Sequence, residues 1–256
     1  MLELANAHRS IRSFTDQKID PNLLNDLLYT GLRSSSSGNI QSWSVVVTQD
    51  EENKAELFKA HYEQPMVNEA PAVLTFCADF HRMREWIRVS GSKQSFDDFL
   101  GFMVGAVDAV IAAQTICLAA ESKGLGICYM GTTLMSADKI IGLLELPQNV
   151  FPVTSIVIGY PAEDPSLRDR LPLDMLVHHE KYRPLSDVEI VEKHADREKN
   201  AWDRYNAIPE LREKLADAGI TKVTDFYTSE FKYSKEMHTE VSTMLLAKLK
   251  EQGFWL

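Results

Sequence analysis

The stretch from Asp97 to Ser122 constrains the fold more than any other part of the chain. It is an almost uninterrupted apolar run rich in glycine and alanine, and Gly124 follows it as a C-terminal cap. A helix that is apolar on every side needs burial on every side, and a pair of chains supplies that burial more readily than one domain of this size. The stretch therefore predicts a core helix that is buried all round, and it favours a homodimer.

The same stretch could be mistaken for a membrane span between Phe99 and Ala120. Asp108 lies in its middle, at an insertion cost of about 2.5 to 3.5 kcal/mol, and Gln114 adds a second polar group. The segment from Asn6 to Arg12 is polar, so the N-terminus shows no apolar signal-peptide core. We therefore expect a soluble, cytoplasmic protein that does not enter membranes.

Composition and charge narrow the classes of partner. The 256 residues are 45% hydrophobic and 25% charged, as in an ordinary soluble globule, and the net charge is −10. Nucleic acid and anionic membranes require a basic surface, and the sequence shows none. The cysteines stand in apolar stretches, at spacings that fit neither a zinc site nor a disulfide framework; they are Cys77, Cys117 and Cys128. We interpret them as reduced core residues and predict no metal site.

Four apolar strand patterns separated by helical patterns indicate the fold class. They are Trp43–Thr48, Ala72–Ala78, the strand that begins at Leu125, and Val153–Gly159. No Gly-x-Gly-x-x-Gly turn follows the first strand, which argues against a doubly wound dinucleotide-binding fold. An α+β sandwich with a mixed or antiparallel central sheet fits the pattern better.

The sequence after Leu185 changes in character. It becomes strongly charged and helical in pattern, and Ser234 to Gln252 is amphipathic with an apolar face. A stretch of this kind is typical of an arm that packs on another surface. We therefore predict a core at residues 1–187 and a helical C-terminal extension at residues 188–256.

Two cationic segments stand out in this acidic chain. Arg9 and Arg12 lie three residues apart, so on a turn both guanidiniums can grip one phosphate. Taken alone, this segment fits a solvated basic terminus better. Arg168 and Arg170, however, lie in a proline-bounded loop that has no helical or strand reason to carry them. Because binding residues are common on such loops, the two segments together predict an anion site.

The run His8-Arg9-Ser10-Ile11-Arg12 and the run Arg168-Asp169-Arg170-Leu171-Pro172 resemble the FMN-dependent nitroreductase and flavin reductase family, in particular its NADPH nitroreductase branch. The resemblance covers roughly residues 2–187. It implies a nitroreductase-like α+β sandwich with a central mixed or antiparallel sheet of about four to five strands flanked by helices. It also implies an intertwined homodimer, with the C-terminal extension wrapped around the partner subunit.

The resemblance implies an FMN site built from several groups of residues. The phosphate, ribityl chain and pyrimidine edge would be held by His8, Arg9, Ser10, Arg12, Arg168 and Arg170. The polar ring edge would contact Ser36 and Gln64. One ring face would lie beside Tyr129, Met130, Gly131 and Thr132, where Thr132 replaces a glycine common in the family. The substrate side would be formed by Gly38 and Asn39, with Lys232 and Lys235 as candidate readers of the extra phosphate of NADPH.

No catalytic set of nucleophile, base and orienting residue is visible in the sequence, which favours a protein whose cofactor carries the chemistry. The resemblance implies that NAD(P)H reduces FMN, and that a nitroaromatic, a quinone or free flavin then takes two electrons in a ping-pong cycle. Two alternatives stay open. A non-catalytic flavin-binding or redox-sensor protein would use the same residues, and a purely structural module would explain the long helix and the arm through dimerisation alone.

Overall fold

The protein is an α+β fold built around one antiparallel sheet. A computed structural model describes residues 1–255. Its strands are β1 (Trp43–Thr48), β2 (Ala72–Asp79), β3 (Gly126–Met130) and β4 (Val150–Gly159). They form one sheet in the order β1-β2-β4-β3, and each neighbouring pair is antiparallel. The predicted fold class and the antiparallel sheet are confirmed.

The helices begin and end largely where local signals place them. At the start of α2, Asp20 accepts hydrogen bonds from two backbone N–H groups and Pro21 is the first helical residue. The helices are α1 (Leu2–Asn6), α2 (Pro21–Gly31), α3 (Glu51–Ala60), α4 (Met66–Glu69), α5 (His81–Val89), α6 (Phe99–Ser122), α7 (Thr132–Met135), α8 (Ala137–Leu143), α9 (Leu173–Leu176), α10 (Asp187–Asn206), α11 (Pro209–Asp217), α12 (Val223–Thr228) and α13 (Lys235–Glu251).

The chain divides into two compact units, which are described separately. The first unit comprises Met1–Ser166 and the segment from Val241 onward, and the second comprises Leu167–Glu240. The predicted division between residues 187 and 188 separates an FMN-binding core from an extension that wraps the partner. That functional division stays a prediction.

The core of the first unit lies between the sheet and α6. All eight residues of β2 are buried, as expected for a central strand covered on both faces. Ala109 and Ala113 of α6 pack in one apolar cluster with Leu74 of β2. At Gly105 an added Cβ would lie only 2.9 Å from the Cβ of Ala78. The small residues of the helix therefore let the two backbones approach closely.

One face of α6 is exposed, so the prediction of a helix buried all round is wrong for a single chain. The sheet and α2 cover only the side that carries its glycines and alanines. On the other side the large apolar side chains are 37% to 69% exposed. We call them the apolar strip: Phe99, Leu100, Met103, Val107, Val110 and Ile111. By length and composition alone, Phe99–Ser122 is the one helix within residues 1–255 that could cross a membrane.

Gly126 lies where the N-terminal part of the chain packs against β3. A Cβ added there would lie 2.5 Å from Cγ1 of Ile11, and the Ile11 N–H donates to the carbonyl of Ile127 at 2.9 Å. We expect Gly126→Ala to lower the free energy of unfolding by about 1 to 3 kcal/mol, because the methyl group overpacks this contact. Urea unfolding followed by tryptophan fluorescence measures the change.

The matched control for this prediction is Gly142→Ala in α8. Nothing lies within 4 Å of a Cβ added at Gly142, which belongs to a helix. Alanine is therefore expected to raise the free energy of unfolding there by about 0.5 to 1 kcal/mol. Equal effects of the two substitutions would contradict the packing argument for Gly126.

The second unit is helical. Its longest helix, α10, begins with a capping box in which Ser186 and Glu189 bond each other's backbone N–H groups. The hydrogen bonds from Ser186, with a further one from Arg183, lower the pKa of Glu189 to about 2. The Val223 N–H donates to Glu198 Oε1 at 2.7 Å and so ties α12 to α10.

Candidate functional site

The N-terminal cationic segment, residues 8–12, lies against the edge strand of the sheet. The Ile11 N–H bonds the carbonyl of Ile127 in β3, and the Ile11 side chain is buried. Beyond the segment, Phe14 forms an isolated antiparallel bridge with Pro161, just after β4. The backbone of the segment is therefore fixed by the sheet, which places its polar side chains at a defined position.

Two acidic residues after β4 meet this segment. Arg9 Nη1 donates to Asp164 Oδ1 at 2.6 Å, and the backbone N–H of Arg12 donates to Glu163 Oε1 at 2.5 Å. The Arg12 guanidinium has only the carbonyl of Ser10, at 3.4 Å, and no carboxylate partner within the described chain. The Arg12 guanidinium is therefore available to bind an anionic ligand.

His8 is oriented by a buried carboxylate. Its Nδ1 lies 2.6 Å from Glu121 Oε1, while Glu121 Oε2 is buried without a hydrogen-bond partner in the part of the chain that the structure describes. The Glu121 side chain is 11% exposed and that of His8 is 30% exposed. Because Glu121 takes one ring nitrogen of His8, Nε2 is the atom left to contact a ligand.

A phosphate fits the donors of this segment. Arg12 is an exposed guanidinium that has no acidic partner among the described residues, in a chain of net charge −10. The Arg9 ion pair is exchangeable, because Asp164 is 87% exposed and such surface pairs contribute only about 0 to 1 kcal/mol. The segment can therefore bind a dianion through charge-assisted hydrogen bonds from two guanidiniums.

A second group of side chains, which we call the Thr132 cluster, consists of His61, Gln64 and Thr132. Gln64 Nε2 donates to Thr132 Oγ1 at 3.2 Å, and the same oxygen lies 2.8 Å from His61 Nδ1. The structure thus brings together Gln64 and Thr132, which the sequence assigned to different sides of one ring. His61 was missed, because no sequence signal distinguishes it from the charged helix that it follows.

His61 is uncharged at neutral pH. The residue is fully buried, and that burial lowers its pKa to about 4. In an unfolded chain its pKa lies near 6.5. Between these two pH values the unfolded state binds more protons than the folded state, so the folded protein loses stability as the pH falls.

We therefore expect His61 to lower the free energy of unfolding by about 2 kcal/mol when the pH falls from about 7 to about 5. This contribution is complete above the unfolded pKa and is progressively lost toward pH 4. Urea unfolding of wild type and His61→Asn at both pH values measures it. The variant should show the smaller pH dependence, and equal dependence in both proteins would contradict the assignment to His61.

The residues predicted to lie beside a flat ring are at the end of β3 and the start of α7. The Tyr129 hydroxyl donates to Gln114 Oε1 at 3.2 Å, and burial raises the pKa of Tyr129. Met130 is buried, whereas Gly131 is exposed. A Cβ added at Gly131 would meet nothing within 4 Å, so the surface beside this backbone is open to a flat ligand.

The loop at residues 34–41 carries three more residues of the predicted site. They are Ser36, Gly38 and Asn39. Asp108, buried within α6, accepts hydrogen bonds from the Ser37 N–H at 2.9 Å and from the Ser42 hydroxyl at 2.7 Å. The buried carboxylate of the apolar helix therefore anchors this loop.

Gly38 and Asn39 line a cavity of about 520 Å³ beside the same loop. Arg82 forms part of its wall and donates to the carbonyls of Gln41 at 2.9 Å and Trp43 at 3.0 Å. The volume is in the range of small-molecule sites. The two residues predicted for the substrate side thus lie on a cavity, on a different element from the cationic segment.

The second unit carries three predicted site residues that are cations without a carboxylate partner in the described part of the chain. They are Arg168, Arg170 and Lys235. Arg170 Nη1 donates to the carbonyls of Arg168 and Asp169, each at 3.2 Å. Lys235 is exposed at the start of α13. The convergence of Arg168 and Arg170 with the N-terminal cationic segment stays a prediction.

Lys232 is enclosed by aromatic side chains of its own unit. Its Nζ lies 4.4 to 5.6 Å from four ring centroids and donates to the Tyr205 hydroxyl at 3.0 Å. The rings belong to Tyr205, Phe226, Tyr227 and Tyr233. Each cation–π contact of this kind stabilises the fold of the second unit. The role of Lys232 as a phosphate reader stays a prediction.

The cysteines lie where the sequence placed them. All three are free and buried, and burial raises the pKa of the Cys117 thiol to about 12. They are therefore inert core residues. Among residues 1–255, no group of three or more His, Cys, Asp or Glu side chains is placed to bind a metal ion.

Comparison with known proteins assigns the chain to a family. A family model described as the nitroreductase family matches residues 5–160. An FMN reductase (NAD(P)H) of Bacillus subtilis (strain 168) is 38% identical over 177 residues, which are 68% of this chain and 71% of the relative. The family-model match covers the cationic segment, the Thr132 cluster and the 34–41 loop.

Two solved structures extend the similarity to nearly the whole chain. One, from Bacteroides fragilis NCTC 9343, superposes with a TM-score of 0.90 at 38% identity and covers 99% of this chain and 100% of that one. The NADPH:FMN oxidoreductase of Vibrio harveyi, complexed with NAD+, gives a TM-score of 0.72 at 30% identity over 91% of this chain and 99% of that one. Since the family model alone spans more than half of the sequence, this chain belongs to the nitroreductase family.

Proposed function

We propose that the protein is an FMN-dependent oxidoreductase that uses NAD(P)H to reduce small electron acceptors such as nitroaromatics, quinones or free flavin. Relatives named FMN reductases, for which NADPH or NAD(P)H is the stated reductant, support this function. The solved Vibrio harveyi relative, an NADPH:FMN oxidoreductase, carries NAD+ in its structure. NADPH or NADH can therefore serve as the co-substrate.

The observation that carries the proposal is that the Arg12 guanidinium is free to bind an anion. Its guanidinium is exposed and has no carboxylate partner in the described chain, although acidic residues outnumber basic ones by 37 to 27. The neighbouring Arg9 donates to the exposed, exchangeable carboxylate of Asp164 and to the carbonyl of Pro165, and the backbone between Arg9 and Arg12 is fixed by β3. A cation kept free in this way favours binding of a phosphate group such as that of FMN.

When bound, FMN supplies the transfer of two electrons between nicotinamide and acceptor, and the residues of the chain bind and orient it. We assign the phosphate end and ribityl chain to His8, Arg9, Ser10, Arg12, Arg168 and Arg170. We assign the ring edge and ring face to Ser36, Gln64, Tyr129, Met130, Gly131 and Thr132. The substrate and nicotinamide side is assigned to Gly38, Asn39, Lys232 and Lys235.

We further propose that the protein is a cytoplasmic homodimer in which a second chain covers the apolar strip. Its side chains follow one another at helical spacings of three and four residues and are 37% to 69% exposed. A continuous apolar surface of this kind is typical of an interaction site. The predicted role of residues 188–256 is to wrap around that second chain.

Absorption spectroscopy under air-free conditions tests the enzymatic function. The purified protein is expected to bind FMN and be yellow, to bleach on addition of NADPH or NADH, and to regain its colour when a nitroaromatic is added. A yellow protein that neither nucleotide bleaches would instead favour a flavin-binding sensor. A colourless protein that takes up no FMN would favour a structural module.

A further inference from the structure

The Thr132 cluster has a hydrogen-bonding group that its own contacts do not use. The Thr132 hydroxyl oxygen lies 3.2 Å from Gln64 Nε2 and 2.8 Å from His61 Nδ1. A hydroxyl group offers two lone pairs and one proton. Which of these the two neighbours occupy decides what Thr132 presents to a bound molecule.

A strained turn directs both neighbours toward Thr132. Between His61 and Gln64 the chain passes through Tyr62 and Glu63, whose φ angles are 56° and 55°. This left-handed conformation is unfavourable for residues that carry a side chain, and it persists where the surrounding structure imposes it. Gln64 Nε2 also donates to the carbonyl of His61 at 3.1 Å, which closes the turn. The positions of both side chains are therefore fixed.

The surroundings of His61 determine where its ring proton lies. The residue is fully buried and uncharged, so the ring carries one proton. Its Nε2 is buried and has no hydrogen-bond partner among residues 1–255. A proton on Nε2 would leave a buried N–H without an acceptor, which is a rare exception in folded proteins. The proton therefore lies on Nδ1, which donates to Thr132 Oγ1.

The Thr132 oxygen then accepts two hydrogen bonds, one from His61 and one from Gln64. Both lone pairs are occupied, and the hydroxyl proton has no acceptor within the cluster. We infer that Thr132 donates this proton to an acceptor atom on the polar edge of the flavin, with His61 as the positioning residue that orients it. This inference rests on the proposed FMN-dependent function.

The Thr132 side chain is not fully enclosed by the protein. The residue is half-buried at the start of α7, directly after the exposed Gly131. A donor fixed beside the ring edge affects both the affinity for FMN and the reduction potential of the bound flavin.

The test uses conservative pairs of variants and two readouts besides turnover: the dissociation constant for FMN, from quenching of flavin fluorescence, and the midpoint potential of bound FMN. Thr132→Val keeps the shape and loses the hydroxyl, so FMN should bind roughly fivefold more weakly, the ratio typical of one net hydrogen bond. The potential should shift as well. Thr132→Ser should keep both values of the wild type.

The His61 variants test the positioning role. His61→Leu should reproduce the effects of Thr132→Val. His61→Asn should instead keep the wild-type affinity and potential, because its amide nitrogen can take the place of Nδ1. In a Thr132→Val background, His61→Leu should add no further change, since the two residues act as one unit. Additive effects, or wild-type affinity and potential in Thr132→Val, would overturn the inference. If His61→Leu does not fold, the Thr132 pair alone decides.

A direct measurement needs no flavin. Imidazole nitrogen chemical shifts of His61 in the protein without added FMN should report the Nδ1–H tautomer, and an Nε2–H tautomer would overturn the inference. If the wild-type protein takes up no flavin, the proposed function falls together with this inference. If the wild type binds flavin and Thr132→Val binds it equally well, only the inference about Thr132 fails.

Discussion

Replacement of Asp108 by alanine is expected to lower the free energy of unfolding by roughly 4 kcal/mol. The Asp108 carboxylate is 2% exposed and accepts hydrogen bonds from the Ser42 hydroxyl at 2.7 Å, the Ser42 N–H at 3.2 Å and the Ser37 N–H at 2.9 Å. Ser42 is itself buried, so its two donors would be left without partners. The Ser37 amide is on an exposed residue, and water can replace its lost acceptor.

The effect of Asp108→Ala should appear first in the loop at residues 34–41. Hydrogen exchange followed by mass spectrometry should show faster exchange of the Ser37 and Ser42 amides, and urea unfolding gives the total loss. The matched control is Thr115→Ala in the same helix, because the Thr115 hydroxyl donates to the carbonyl of Ile111 one turn earlier in that helix and not to the loop. Protection of the loop amides as in the wild type would show that Asp108 is not the anchor.

The sequence predicted the strands and the long helix well, because hydrophobic periodicity depends only on neighbouring residues. The first strand is observed at Trp43–Thr48, as predicted, and β2 extends one residue beyond its predicted end. The fourth strand begins at Val150 rather than Val153, because Pro152 lies within it and obscures its start in the sequence. The long apolar helix begins at Phe99 after an Asp98 cap.

Burial of α6 could not be predicted, because burial depends on what lies opposite a residue. Valines at positions 107 and 110 look the same in the sequence as the alanines that face β2, yet they are 52% and 44% exposed. Asp108 was recognised as an obstacle to membrane insertion. Its role as the anchor of a loop depends on residues that are 66 and 71 positions away in the chain.

The candidate site also combines features that a local sequence signal predicts with contacts between distant residues that the sequence does not predict. Clustered arginines in an acidic chain are a local signal, and they point to the N-terminal cationic segment directly. The contact between His61 and Thr132 joins residues 71 positions apart, and neither residue is unusual in its own neighbourhood. The tautomer of His61 depends on the absence of a partner for a buried atom, which only the folded chain reveals.

Reversing the charge of Arg12 should weaken FMN binding more than any other single change in the first unit. Each charge-assisted hydrogen bond contributes about 1.5 to 3 kcal/mol, and a glutamate adds repulsion of the phosphate. Arg12→Glu should therefore raise the dissociation constant for FMN by roughly 10- to 150-fold through the lost bond alone, and further through repulsion of the phosphate. The fold should be unaffected, because within residues 1–255 the side chain makes one weak hydrogen bond, to the carbonyl of Ser10 at 3.4 Å, and no ion pair.

Lys18→Glu is the matched control for Arg12→Glu, because it makes the same change of net charge at an exposed residue. Within the described chain Lys18 has no ion pair, and it lies outside the predicted site. Fluorescence titration with FMN at one fixed ionic strength compares the two variants, since the screening of surface charge depends on salt. If Arg12→Glu and Lys18→Glu bind FMN equally well, net charge explains the loss and Arg12 does not contact the phosphate. A large difference between two equally stable variants assigns the phosphate to the N-terminal cationic segment.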